Sequence, residues 1–139
     1  MAKQVLKVDY DYDFLLIGIA CHDKDYKLTW GINKTLGWDL RKIKDYELTF
    51  KGKAGTVAFS QFTMVNALMY REYFLLQNYS DSLCLLPELK VLDYFLIVKG
   101  DLAEGEVDDI LGKLKSIPNV LTAYMVDVLN LKDKDNLLF

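Results

Sequence analysis

The chain holds one histidine, two cysteines and two prolines in 139 residues, and each scarcity removes a class of function. A lone imidazole excludes multi-histidine metal centres and leaves few ways to build a histidine-dependent catalytic group. Cys21 and Cys84 give no disulfide framework. Each stands in an apolar run where a reduced thiol packs as a small hydrophobe, so a reducing compartment fits best. A basic excess is missing too: 17 Lys and Arg stand against 20 Asp and Glu, a formal charge of −3. Non-specific attraction to a phosphate backbone is therefore disfavoured. The apolar stretch from Phe14 to Cys21 is far shorter than the roughly twenty residues that span a bilayer. Asp9, Asp11 and Asp13 precede it directly, where a secretory signal would carry basic residues. The expectation is a soluble cytoplasmic protein with no cofactor, no metal and no membrane association.

What is present is a core. Hydrophobic residues make up 52% of the chain and charged residues 27%, which excludes disorder as the main state. The length suits one domain over residues 1–139. Nine tyrosines dominate the aromatic content. They either finish strands in an ordinary core or supply an amphipathic face for a partner or ligand.

Asp13 to Cys21 reads as a buried central strand, because a continuous apolar run needs cover on both faces. Asp23 or Asp25 is placed to cap a helix in which Leu28, Ile32 and Leu36 share one face and Gly37 terminates the run. Tyr26, Leu28, Trp30 and Ile32 also alternate at period two, but the caps favour the helix. Strands follow at Tyr46 to Phe50, Val57 to Val65 and Tyr70 to Asn78, with short connections that suit an antiparallel meander. Ser80 to Ser82 reads as a loop.

Tyr94 to Val98 is a strand ending at Gly100. Val107, Ile110, Leu111 and Leu114 then mark one face of a helix whose acidic start and basic end suit the macrodipole. Pro118 stops it, and Val120 to Val128 returns as a strand. Such a β-α-β unit predicts two parallel strands with a right-handed crossover. The order β-α-β-β-β-β-α-β predicts an α+β, two-layer sandwich: a mixed, largely antiparallel sheet with two main helices on it. This arrangement is similar to ferredoxin-like and ACT-like regulatory modules, an analogy of fold alone. Lys132 to Asp135 reads as a solvated charge run, with Leu137, Leu138 and Phe139 able to dock back.

Three candidate chemistries fail on spacing or partners. Asp9-Tyr10-Asp11-Tyr12-Asp13 opens like a calcium loop, but Phe14 and Ala20 occupy the places of the required glycine and glutamate. Gly52-Lys53-Ala54-Gly55-Thr56 lacks phosphate-loop spacing and suits a turn. His22 ends the first strand before a helix N-terminus, where Asp23 and Asp25 could orient it as an acid–base group. No nucleophile accompanies it, since Cys21 points to the other side of the strand.

Leu86-Pro87-Glu88-Leu89-Lys90-Val91-Leu92-Asp93-Tyr94 carries the most information. Proline suits the first position of a helical turn, and Glu88 follows where backbone N–H groups favour a carboxylate. Asp93 and Tyr94 open the next strand. The segment resembles the bacterial IPExxxVDY family: Pro87, Glu88, Asp93 and Tyr94 match its fixed letters, with Leu86 for isoleucine and Leu92 for valine. The similarity extends through Asp25-Tyr26-Lys27-Leu28 and Ile32-Asn33-Lys34 to Asn136-Leu137-Leu138-Phe139. The resemblance implies a small, single-domain cytoplasmic protein of bacteria and supplies no activity.

These residues frame the functional expectations. Glu88 and Asp93 either hold a turn together through backbone donors or converge with Tyr94 on a binding surface. The leading reading is a non-catalytic binding or interaction domain that forms a homodimer or takes a protein partner. A carboxylate enzyme built from His22, Asp23, Glu88 and Asp93 is the alternative. A third reading, an RNA-associated accessory protein, needs a basic stripe from Lys24, Lys27, Lys34, Arg41, Lys42 and Lys44, diluted by Asp25, Asp39 and Asp45.

Overall fold

A computed structural model describes residues 13–50, 55–81 and 83–137. Asp9 to Tyr12, Gly52 to Ala54, Ser82, Leu138 and Phe139 lie outside them, and so does most of each would-be calcium or phosphate loop. The first strand, β1 (Phe14–Cys21), is buried on both faces. Ile17, Ile19 and Cys21 enter one core, while Leu16 and Ala20 enter another on the opposite side. Period-two alternation forces that division once a sheet is covered front and back.

Helix α1 (Asp25–Leu36) buries Leu28 and Ile32 and leaves Tyr26 and Trp30 exposed, so the helical period prevails over the alternating one. Gly37 closes it at φ 70°, a left-handed conformation that an L side chain rarely adopts. The expected aspartate cap is absent. Lys24 is the N-cap and makes no side-chain cap bond. Asp25 lies inside the helix, accepting from Ser60 Oγ at 2.5 Å, and Asp23 accepts from Asn119 Nδ2 at 3.2 Å.

A meander follows: β2 (Arg41–Leu48), β3 (Val57–Asn66) and β4 (Arg71–Gln77). The first of these begins well before Tyr46, where the sequence pattern placed it. As an edge strand, β2 exposes most of its length and needs no apolar alternation there. The expected loop at Ser80 carries a small hairpin of β5 (Tyr79–Ser80) and β6 (Leu83–Cys84), turning through Asp81 at φ 55°. The chain then runs through β7 (Tyr94–Lys99), α2 (Glu104–Ser116) and β8 (Val120–Val126).

The six-stranded sheet has the order β2-β3-β4-β7-β1-β8, and all five ladders are antiparallel. Thus the fold is α+β. The two strands of the β-α-β unit run parallel, as the pattern predicts, without pairing to each other. Strands β7 and β8 run in the same direction but are not neighbours, because β1 pairs with both and lies between them. A crossover helix needs only two strands of like direction, and the early central strand occupies the gap.

Both helices pack on one face, over Ile17, Ile19, Tyr73, Leu75, Leu96 and Val98. The opposite face is covered too. Leu85, Leu86 and Leu92 from the β6–β7 connection, with Val128, Leu131 and Leu137 from the chain after β8, bury Leu16, Phe59, Leu76, Phe95 and Ile97. Lys132 and Asp135 of the charge run are exposed, and a turn at Lys134–Asn136 docks Leu137, fully buried, into this second core, as expected of the tail. No helix among the described residues is long and apolar enough to cross a membrane.

Candidate functional site

The distinctive motif occupies the connection from β6 to β7 on the helix-free face. Pro87–Leu89 is a single 3-10 turn with proline at its start, as its fixed φ and missing N–H favour. Leu86 and Leu92 are buried on either side of it. Leu92 sits directly over β1: a Cβ built on Gly18 would come 2.3 Å from Leu92 Cδ1. The glycine supplies the space that lets the connection approach the sheet.

Asn78, a residue outside the motif, organises this connection. It is fully buried, with its Nδ2 donating to the carbonyls of Leu89 (3.1 Å) and Leu92 (2.8 Å) and its Oδ1 accepting from Leu86 N–H at 2.9 Å. Its backbone N–H donates to the Asp93 carbonyl at 2.8 Å, and its carbonyl accepts from Leu85 N–H at 2.7 Å. One amide thus supplies the donors and acceptor that the buried turn takes from no ladder, as burial of backbone requires. A polar residue closing an apolar strand was the available signal, but burial is what gives it meaning, and burial is not written in the sequence.

Asp93 extends the central ladder. Its N–H donates to the Ile19 carbonyl at 2.9 Å, and its Oδ2 accepts from Cys21 N–H at 2.7 Å. The carboxylate therefore continues the β1–β7 pairing past its last register pair, Ile19 with Tyr94. Tyr94 is buried, and its hydroxyl donates to the Asp23 carbonyl at 2.5 Å, holding the exit of β1. Burial, with several nearby carboxylates, pushes this phenol well above the usual tyrosine range.

Glu88 is exposed and serves a different part of the chain. Its Oε1 accepts from the N–H of Asp133 at 3.0 Å, tying the turn to the segment after β8. Asn136 completes that attachment: its Nδ2 donates to the Leu85 carbonyl at 2.8 Å, and its own carbonyl accepts from the Tyr46 hydroxyl. The Tyr79 hydroxyl donates to the Lys90 carbonyl across the same connection.

The structure therefore separates the residues that sequence reasoning grouped. Asp93 contacts the end of β1, Tyr94 reaches Asp23 beneath the helices, and Glu88 faces the C-terminal segment. His22 is exposed just beyond β1, and no described hydrogen bond joins it to Asp23, Asp25, Glu88 or Asp93. Among the described residues, no three His, Cys, Asp or Glu side chains are grouped to hold a metal ion. Of the basic stripe, Lys27 lies 3.9 Å from Asp23, Arg41 3.0 Å from Asp39 and Lys42 2.8 Å from Asp45, so acidic partners neutralise half of it.

Comparison with protein-family models, curated proteins and solved structures finds no match to this chain. The resemblance to the IPExxxVDY family accordingly rests on the motif residues themselves.

Apolar side chains stand outside the core elsewhere. The β3–β4 turn, a 3-10 segment at Ala67–Met69, leaves Leu68 92% and Tyr70 88% exposed, with Val65 and Met69 beside them. An open groove of about 680 Å³ adjoins it, lined by Trp38, Ile43, Met64, Leu68 and Tyr73 among others. A clamp shapes the far side of the turn. Arg71, buried, donates to both oxygens of Glu106 at 2.8 Å and to the Asp101 carbonyl at 2.9 Å. Nothing in the local pattern announced this pair.

Proposed function

We propose that this protein is a non-catalytic interaction domain that associates with itself, and that it belongs with the IPExxxVDY proteins. The observation that carries this reading is the exposed apolar surface: Val65, Leu68, Met69 and Tyr70 at one turn, and Leu121, Tyr124, Met125 and Leu129 around β8. Groups of exposed apolar side chains of this kind mark surfaces that meet other proteins. The polar atoms of the motif support the same reading, since Asp93, Tyr94 and Glu88 are each engaged with backbone groups of the chain. Carboxylates and a hydroxyl held that way brace a scaffold and leave little for proton transfer to a substrate.

Size-exclusion chromatography with light scattering at high-micromolar concentration tests it. A dimer or larger assembly that dissociates on dilution is the expected result. A strictly monomeric species at that concentration would refute self-association.

A further inference from the structure

The two edges of the six-stranded sheet differ in charge. Strand β2 carries Arg41, Lys42, Lys44, Asp45 and Glu47, and its pairing slips between Ile43 and Tyr46. Charges and a bulge are what keep a sheet edge from recruiting another strand. Strand β8 reads Val-Leu-Thr-Ala-Tyr-Met-Val, without a single charge, and although its pairing with β1 shifts register at Leu121 it is regular from Thr122 to Val126. It pairs with β1 on one side only, and no other described strand pairs with it. Alternate N–H and C=O groups along its outer side therefore point away from the sheet.

We infer that β8 is the seam of a homodimer, in which two copies of the strand pair antiparallel across a two-fold axis at Ala123. The inference rests on the interaction reading and names its partner as a second copy of this chain. About that residue the axis sets Thr122 against Tyr124 on one face of the joined sheet and brings Leu121, at the register shift of β8, beside Met125. A sheet of twelve strands results from the two copies of six.

Features beyond the backbone agree with that operator. Leu121 is 67% exposed although it lies within a strand. The axis brings it to Met125 of the second copy, which lines an apolar groove of about 440 Å³ with Phe14, Val126 and Leu129. Helix α2 packs along β8, and the axis runs it antiparallel to its counterpart. On α2 the exposed Asp109 and Lys113 already pair within the helix at 3.2 Å, so the seam rests on the strand itself.

Light scattering of three proteins tests the seam. Leu121→Lys/Met125→Lys places like charges opposite each other twice in the dimer and is expected to raise its Kd by about tenfold or more. Leu121→Lys/Met125→Glu changes the same positions but sets opposite charges across the axis, and is expected to restore association. Ile43→Lys, on the protected edge, should leave it unchanged. Amide hydrogen exchange of the parent provides a readout that needs no substitution: protection of β8 should rise with protein concentration. A parent that is monomeric overturns both the seam and the interaction reading. A dimer indifferent to the two lysines overturns the seam alone. So does protection of β8 that is equal at every concentration, since the chain would then cover its own edge.

Discussion

At the scale of the residue, a buried amide outranks the motif's carboxylates. Asn78, fully buried, satisfies three polar groups of the β6–β7 connection through its side chain alone. Asn78→Ala leaves the Leu92 carbonyl and the Leu86 N–H without partners, while the Leu89 carbonyl keeps the Leu92 N–H, and is expected to cost about 2–3 kcal/mol. Asp93→Ala loses one charge-assisted bond to Cys21 N–H at a half-buried position, and about 1–2 kcal/mol is expected. Glu88→Ala removes an exposed bond to the terminal segment, where solvent replaces the partner, and should cost less than about 1 kcal/mol. Urea midpoints of the three variants check the order. If both carboxylate variants melt at or above the parent, the structural account of the motif is wrong.

At the scale of the element, α2 was legible and its anchor was not. The apolar stripe, the acidic start, the lysines near the end and Pro118 are all local signals, so they predicted the helix and its direction. The bond that fixes its first turn to β4 joins residues 35 apart, Arg71 and Glu106. Glu106 also accepts from Ala103 N–H at 3.1 Å, so one carboxylate both caps the helix and pins it to the sheet. The Arg71 guanidinium holds that carboxyl below its ordinary range. A depressed carboxyl stabilises the fold above the unfolded pKa, about 4.3, and loses that contribution as pH falls through the folded value. The difference in urea midpoint between the parent and Glu106→Gln should therefore be largest at neutral pH and shrink as the pH drops below about 4. A difference that is constant across this range would mean the pair does not act through charge.

At the scale of the whole molecule, covering both faces of the sheet sets how the chain opens. Cys21 lies at the end of the central strand beneath the helices, 1% exposed, while Cys84 sits half-buried on the small hairpin. Desolvation pushes the Cys21 thiol up, which lowers its thiolate fraction further. With a thiol reagent at neutral pH, one fast group, Cys84, is expected, and Cys21 should react only at the rate of global unfolding. Both thiols reacting in one fast phase would show that α1 lifts from the sheet independently.

The division between sequence and tertiary structure follows from range. Local spacing was enough to place β1, both helices, the meander and the α+β class, because a period of two or 3.6 in apolar residues needs only neighbouring positions to be expressed. The motif likewise announced a turn at Pro87 followed by a strand at Tyr94. That β7 and β8 run parallel was legible too, but that β1 lies between them was not, since strand adjacency is a global choice that adjacent residues do not encode. The early start of β2 escaped for a related reason: an exposed edge strand carries no apolar period. What covers the helix-free face, where Glu88 finds Asp133, and which amide holds the connection were decided only when segments distant in sequence buried one another. A hydrogen bond formed in that burial leaves no trace in the spacing of either partner.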